Sequence, residues 1–250
     1  MQRGDYVGFV DSDDYISSET YNELFQDKNV IDKNPDLIRF QLQSEKGETI
    51  TERITDVKGY YDISEDKTVV FDLLINKCQV ANAVCCLYKR EVLGDTRFNT
   101  DIKFGEDYLF NFNIFCKANS IYIGDGIYYH YVLNTDSATH QVDPQKILRR
   151  LNNHFDVDYY VYSKVLELGK YDSFYSSTVN TTVRAVTTVL KLISKGLPYD
   201  EYSKVIDELV TKDYYARYIA LPRNEDNVSI LNSYTNVKTR KEFYDKFKEM

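Results

Sequence analysis

Up to Val142 the apolar positions come in short bursts; beyond it they form long helical stripes. Tyr6 to Val10 is a continuous apolar run of strand length. Ser17-Ser18 offers a cap for a helix over about 19–28, with Tyr21, Leu24 and Phe25 at core spacing. Leu37, Ile38, Phe40 and Leu42 predict a strand over 36–42, and the polar stretch 44–59 an exposed hairpin or loop. Val69, Val70, Leu73 and Leu74 predict a helix over 66–76, Val80–Tyr88 a strand, and Lys89–Leu93 a short helix stopped by Gly94. Residues 106–118 read as a helix that is apolar on most faces. Ser120–Ile123 and Ile127–Val132 read as two strands around a Gly124-Asp125-Gly126 hairpin turn. From Asp143-Pro144 the pattern becomes helical throughout: 144–168 stopping at Gly169, 173–195 with an alternating four-three apolar spacing, 200–212 and 238–249, with 222–237 as loop. The chain is thus expected to divide into an α/β part, 1–142, and a helical part, 143–250.

Composition adds limits. The 250 residues suffice for a buried core, and 43% hydrophobic with 28% charged residues is a globular balance. Net charge is −8, unevenly spread: residues 1–142 carry 14 basic and 24 acidic side chains, the remainder 17 and 15. That asymmetry argues against nucleic acid as a partner. Twenty-three Tyr and no Trp supply many amphipathic rings, for which packing is the commoner use. Cys78, Cys85, Cys86 and Cys116 form no C-x-x-C pair and sit among apolar residues, as buried free thiols of a reducing compartment do. No signal-like segment and no uncharged apolar run of membrane-spanning length is present, so the expected location is cytoplasmic.

The chemistry concentrates where the first apolar run meets Asp11-Ser12-Asp13-Asp14. If the strand continued, Asp11 and Asp13 would share a face. Two carboxylates about 4 Å apart repel by roughly 4 kcal/mol at an effective dielectric near 20, which a hard divalent cation would relieve. A plain acidic turn after a strand is the competing reading. An EF-hand is not: Ile16 stands where that loop needs glycine. Glu106 and Asp107 open the apolar mid-chain helix, where acidic side chains also serve simply to complement the helix dipole.

Gly4-Asp5-Tyr6-Val7-Gly8-Phe9-Val10-Asp11-Ser12-Asp13-Asp14-Tyr15-Ile16 resembles the metal-binding D-x-D segment of family 2 glycosyltransferases of GT-A fold. Phe104 to Asn111 resembles that family's ED segment. Tyr128-Tyr129-His130-Tyr131 with Ser137-Ala138-Thr139 resembles its tyrosine-rich strand and following turn, and Cys86–Leu93 its strand-to-helix step before the ED segment. The resemblance implies a partial GT-A fold, Rossmann-like with a mixed sheet, followed by a helical C-terminal region. It implies Asp11 and Asp13 as ligands of Mn²⁺ or Mg²⁺, Asp107 as general base with Glu106 beside it, and Asp14 and His130 as substrate-binding residues. A histidine in a Tyr-rich strand is more often a plain packing residue. In that family the nucleotide-holding strands precede the D-x-D segment, and here only three residues precede it.

The implied function is inverting sugar transfer from a nucleotide-sugar, uridine-linked as in the family, to a glycan or lipid-linked acceptor in surface polysaccharide synthesis. The alternative is a non-catalytic remnant or half of a split enzyme, acting with an N-terminal partner chain or as a homo-oligomer. The basic residues from Lys238 to Lys248, interleaved with Phe243, Tyr244 and Phe247, suggest peripheral contact with an anionic membrane, though Glu242, Asp245 and Glu249 favour a solvated helix.

Overall fold

A computed structural model describes residues 4–47, 49–53, 56–72, 82–133, 143–169, 172–222 and 225–250. These fall into two compact units, one of residues up to 99 with 106–137, the other of 100–105 with 138–250.

The first unit is an α/β structure built on a seven-stranded mixed sheet. Its strands are β1 (Tyr6–Gly8), β2 (Tyr15–Ile16), β3 (Leu37–Lys46), β4 (Thr49–Arg53), β5 (Gly59–Asp62), β6 (Cys86–Lys89) and β7 (Ser120–Val132). The order is β1-β6-β3-β7-β2, with β4 on β3 and β5 on β7. Only the β3–β7 pairing is parallel; β6 and β4 share the other edge of β3, one along each half. Ile38, Phe40, Leu42, Leu87, Tyr122 and Tyr129 bury one face together with Leu24 and Val30, from the short helices α1 (Thr20–Leu24) and α2 (Lys28–Ile31). The helix expected over 19–28 is therefore two pieces; Asp27 caps the second by accepting from the Asn29 N–H at 2.7 Å. Helix α3 (Thr68–Phe71), a 3₁₀ turn (Ala83–Cys85), α4 (Arg90–Leu93) and α5 (Glu106–Phe115) complete the unit. The leucines Leu73 and Leu74 of the expected 66–76 helix, and Cys78, lie outside the described residues.

One expectation is overturned. Gly124-Asp125-Gly126 is no hairpin turn; β7 runs through it as a single 13-residue strand. Long parallel pairing with β3 outweighs the local turn preference, and the glycines instead take up a register shift between Arg39 and Leu42. Gln41 Nε2 donates to the Gly124 carbonyl at 2.7 Å, and a Cβ on Gly126 would lie 2.1 Å from the Tyr128 ring.

The second unit is helical: α6 (Pro144–Leu168), α7 (Asp172–Gly196), α8 (Tyr199–Val210), α9 (Asp213–Ile219), α10 (Glu225–Thr235) and α11 (Arg240–Glu249). Asp143 caps α6, accepting from the N–H groups of Gln145 and Lys146, and Gly169 ends it at φ 68°, a left-handed conformation that favours glycine. Leu151, Phe155, Val161 and Val165 of α6 pack with Val186, Leu190 and Ile193 of α7 in the core. Most of the loop expected over 222–237 is α10. Tyr244 and Phe247 of α11 are buried, so its basic face carries little apolar surface to offer a membrane. Among the described residues no helix is long and apolar enough to cross a membrane.

Candidate active site

The acidic stretch after β1 is a turn rather than a strand: β1 ends at Gly8, and the Asp14 N–H donates to the Asp11 carbonyl at 3.2 Å. The turn is fastened to β7. Asp14 Oδ2 accepts from the Tyr129 hydroxyl at 2.6 Å, and Asp14 Oδ1 accepts from the Val132 N–H at 2.8 Å. The Asp11 N–H donates in turn to the Tyr129 hydroxyl oxygen at 3.2 Å. Asp14 is therefore fully engaged, whereas the carboxylates of Asp11 and Asp13 are exposed and have no hydrogen-bond or ion-pair partner among the described residues.

The pair at the start of α5 lies in the same unit. Phe9, just ahead of the turn, packs edge-on against Phe110 of α5 with centroids 5.6 Å apart, and also against Tyr88 and Phe98. Asp107 Oδ2 accepts from the Ala83 N–H at 3.1 Å. The 3₁₀ turn that supplies this amide is itself held: the Tyr88 hydroxyl lies 3.2 Å from the Ala83 carbonyl and donates to Asn111 Oδ1 at 2.5 Å.

The electrostatics join the two groups. Burial pushes the Asp107 carboxyl up to about 6; the Ala83 amide opposes this, and the charges of Glu106 and Asp11 add to it. Asp11 is likewise raised, first by burial and then by Asp14, Asp13 and Glu106. The buried Cys85 thiol, raised by burial and held back by Arg39, feels both Asp107 and Asp14. Acids far apart in sequence thus converge into one negative field.

The carboxylates of Asp11 and Asp13 are hard oxygen donors, the type that Mg²⁺ or Mn²⁺ takes. Among the described residues, however, no three His, Cys, Asp or Glu side chains form a cage for an ion.

His130 has its own set of partners. On β7 it pairs with Tyr15 of β2, whose ring stacks on it at 4.3 Å. Its Nε2 lies 2.9 Å from the Ser17 hydroxyl and its Nδ1 2.7 Å from Glu45 Oε1, with Gln43 Nε2 at 3.1 Å. Both ring nitrogens are spoken for by the protein. Ser137-Ala138-Thr139 lies outside the described residues. Sequence reading missed Tyr129 and the Ala83 amide; both act over long separations, and neither has a local signature.

No protein-family profile matches the chain. The fold, a mixed-sheet α/β unit followed by helices, is shared with solved structures of S. aureus TarS. Residues 1–349 of that protein align with a TM-score of 0.62 at 19% identity, covering 99% of this chain and 66% of that one. The same TarS piece in complex with UDP-GlcNAc gives a TM-score of 0.56 at 18% identity, covering 99% and 68%. In sequence, the chain is 28% identical over 139 residues to the poly(ribitol-phosphate) beta-glucosyltransferase of Bacillus spizizenii. That match covers 54% of this chain and 20% of the relative, so the chain spans about a fifth of the curated protein it matches.

Proposed function

We propose that this chain carries the catalytic acids of a metal-dependent, inverting glycosyltransferase, moving a sugar from a UDP-linked donor to a glycan or lipid-linked acceptor in surface polysaccharide synthesis. The observation that carries the reading is the common field of Asp11, Asp13, Glu106 and Asp107 within one unit. The beta-glucosyltransferase relative and the TarS complexes with UDP and UDP-GlcNAc support the reaction class and the donor.

In this mechanism Asp107 takes the proton of the acceptor hydroxyl as that oxygen attacks the anomeric carbon. The bond from that carbon to the diphosphate breaks with its electron pair, and the nucleoside diphosphate leaves. Two properties fit Asp107 to this role. Its Oδ2 is fixed by the Ala83 amide, and a carboxyl raised to about 6 is a stronger base than an ordinary aspartate while still ionised at neutral pH. Glu106, one residue earlier, orients the acceptor and keeps Asp107 basic by its charge. Asp11 and Asp13 would hold Mn²⁺ or Mg²⁺, which supplies positive charge against the leaving diphosphate.

The test is release of UDP from UDP-glucose and UDP-GlcNAc with a ribitol-phosphate polymer and Mn²⁺. Asp107→Asn is expected to leave donor binding, by calorimetry, within about twofold and to reduce turnover by roughly 10²–10⁴-fold. Wild-type turnover from Asp107→Asn removes that residue as the base.

A second reading, in which the chain works only with a partner polypeptide, is favoured by the open edge of β1. The Arg90 N–H donates to the Asp5 carbonyl at 2.8 Å, so Asp5/Arg90 and Val7/Tyr88 are the bonded pairs of the β1–β6 ladder. The main-chain groups of Tyr6 and Gly8 then face outward, beside a groove of about 940 Å³ lined by Tyr6, Tyr21, Phe25, Ile31, Leu87 and Arg90. Turnover that appears only on adding a second polypeptide selects this reading.

A further inference from the structure

We infer that Tyr129 is a positioning residue, whose hydroxyl locks the acidic turn so that Asp11 and Asp13 present their carboxylates together, and that Asp14 serves this lock. The inference rests on the metal-site reading above. The Tyr129 ring is fully buried in β7, where it pairs with Ile16 of β2 and Leu42 of β3, so its hydroxyl is delivered from a fixed point. That one oxygen meets both ends of the turn. It accepts from the Asp11 N–H at 3.2 Å and donates to Asp14 Oδ2 at 2.6 Å. The other Asp14 oxygen takes the Val132 N–H, a second tie to the same strand three residues on.

The arrangement sorts three adjacent acids into two kinds. Asp14 has both oxygens committed inside the protein. Asp11 and Asp13 have neither among the described residues, and Asp11 carries the charge of Asp13 against it. A free turn would swing these two carboxylates apart, since separation lowers the repulsion. Tyr129 and Asp14 oppose that relaxation. Groups that orient ligands from behind in this way typically affect metal affinity by about 10–100-fold.

The experiment compares wild type with Tyr129→Phe, which keeps the ring and removes the hydroxyl. Mn²⁺ is titrated alone and with UDP present, and free ion is followed by electron paramagnetic resonance. Amide hydrogen exchange is read at Asp11, and thermal melting is run in parallel. Tyr122→Phe is the control, because it removes a hydroxyl from the same strand whose partner is Asp27, away from the turn. The expected result is a Mn²⁺ dissociation constant raised about tenfold or more in Tyr129→Phe, with faster exchange at Asp11. Tyr122→Phe is expected to stay within about twofold of wild type, the scatter of two independent sites. In a double-mutant cycle, Asp14→Ala with Tyr129→Phe is expected to lose no more affinity than the worse single variant, since both cut one linkage.

Unchanged Mn²⁺ affinity in Tyr129→Phe, or losses that multiply in the double variant, overturn the inference. If wild type binds no Mn²⁺ either alone or with UDP present, the metal-site reading fails, and exchange at Asp11 decides the lock alone. Faster exchange in Tyr129→Phe upholds it and unchanged exchange overturns it.

Discussion

At the scale of single residues, two carboxyls stand far from their ordinary behaviour, for different ends. Asp107 is raised to about 6 by burial, with Glu106 and Asp11 adding to the effect. As a base it must be ionised, so the transfer rate is expected to fall about tenfold per pH unit below that value and to level above it. A rate–pH profile of wild type checks this, and a break near 4 would show Asp107 is not the titrating group. Asp158 lies wholly within the helical unit, buried on α6 with Thr182 of α7 as hydrogen-bond donor, and burial pushes it up to about 7 from 3.8. The folded chain then keeps a proton that the unfolded chain releases between those values. Stability is fully present below about pH 4, falls as pH rises through the window, and is flat above 7. The span corresponds to about 4 kcal/mol at 1.36 kcal/mol per pH unit. Asp158→Asn is expected to remove most of that slope and to be the more stable protein at pH 8, measured by urea unfolding at pH 5 and pH 8. An unaltered slope would place the titrating group elsewhere.

At the scale of elements, β1 and β7 explain what the sequence made legible and what it hid. The acidic turn and the opening of α5 were visible because their chemistry is local: consecutive acids beside apolar runs. The route of β7 was not, because Gly124-Asp125-Gly126 carries the composition of a hairpin turn, while the pairing that overrides it depends on β3, some eighty residues earlier. The Tyr129 contacts span 115 and 118 residues, and nothing around Tyr128-Tyr129-His130 marks the middle ring as different. Helix α10 was obscured by sparse apolar positions and α9 by its shortness, seven residues; Tyr215, Tyr218 and Leu231 are their main buried contributions. The ladder geometry of β1 gives its own prediction. Because the Tyr6 N–H faces away from β6 and the Val7 N–H toward it, proline is tolerated at one position and not the other. Because the Tyr6 side chain also bonds Pro35 and Asn34 and packs on Phe25, each proline variant is referred to the alanine variant at its position. Val7→Pro is expected to cost about 3 kcal/mol more than Val7→Ala, and Tyr6→Pro less than about 1 kcal/mol more than Tyr6→Ala, by chemical denaturation. Equal losses would mean the assigned alternation is reversed.

At the scale of the whole molecule, an α/β part followed by a helical part was expected from a change of hydrophobic period near residue 142, while the two compact units are 1–99 with 106–137 and 100–105 with 138–250. On the proposed reading, a cation held by Asp11 and Asp13 serves the transfer step rather than the fold. EDTA is therefore expected to abolish turnover while leaving the circular dichroism spectrum and melting curve unchanged; a collapse of the melt would reveal a structural ion. The unfinished margin of the sheet matters in a different way. Among the described residues the main-chain groups of Tyr6 and Gly8 that face away from β6 have no strand partner, so this margin is where a second copy would pair. The strand is only three residues long, and Lys89 and Arg90 stand beside it, so such encounters are brief and grow with concentration rather than seeding fibres. Handling the protein dilute, or in salt that leaves hydrogen bonding intact while screening charge, will decide how much of it stays single.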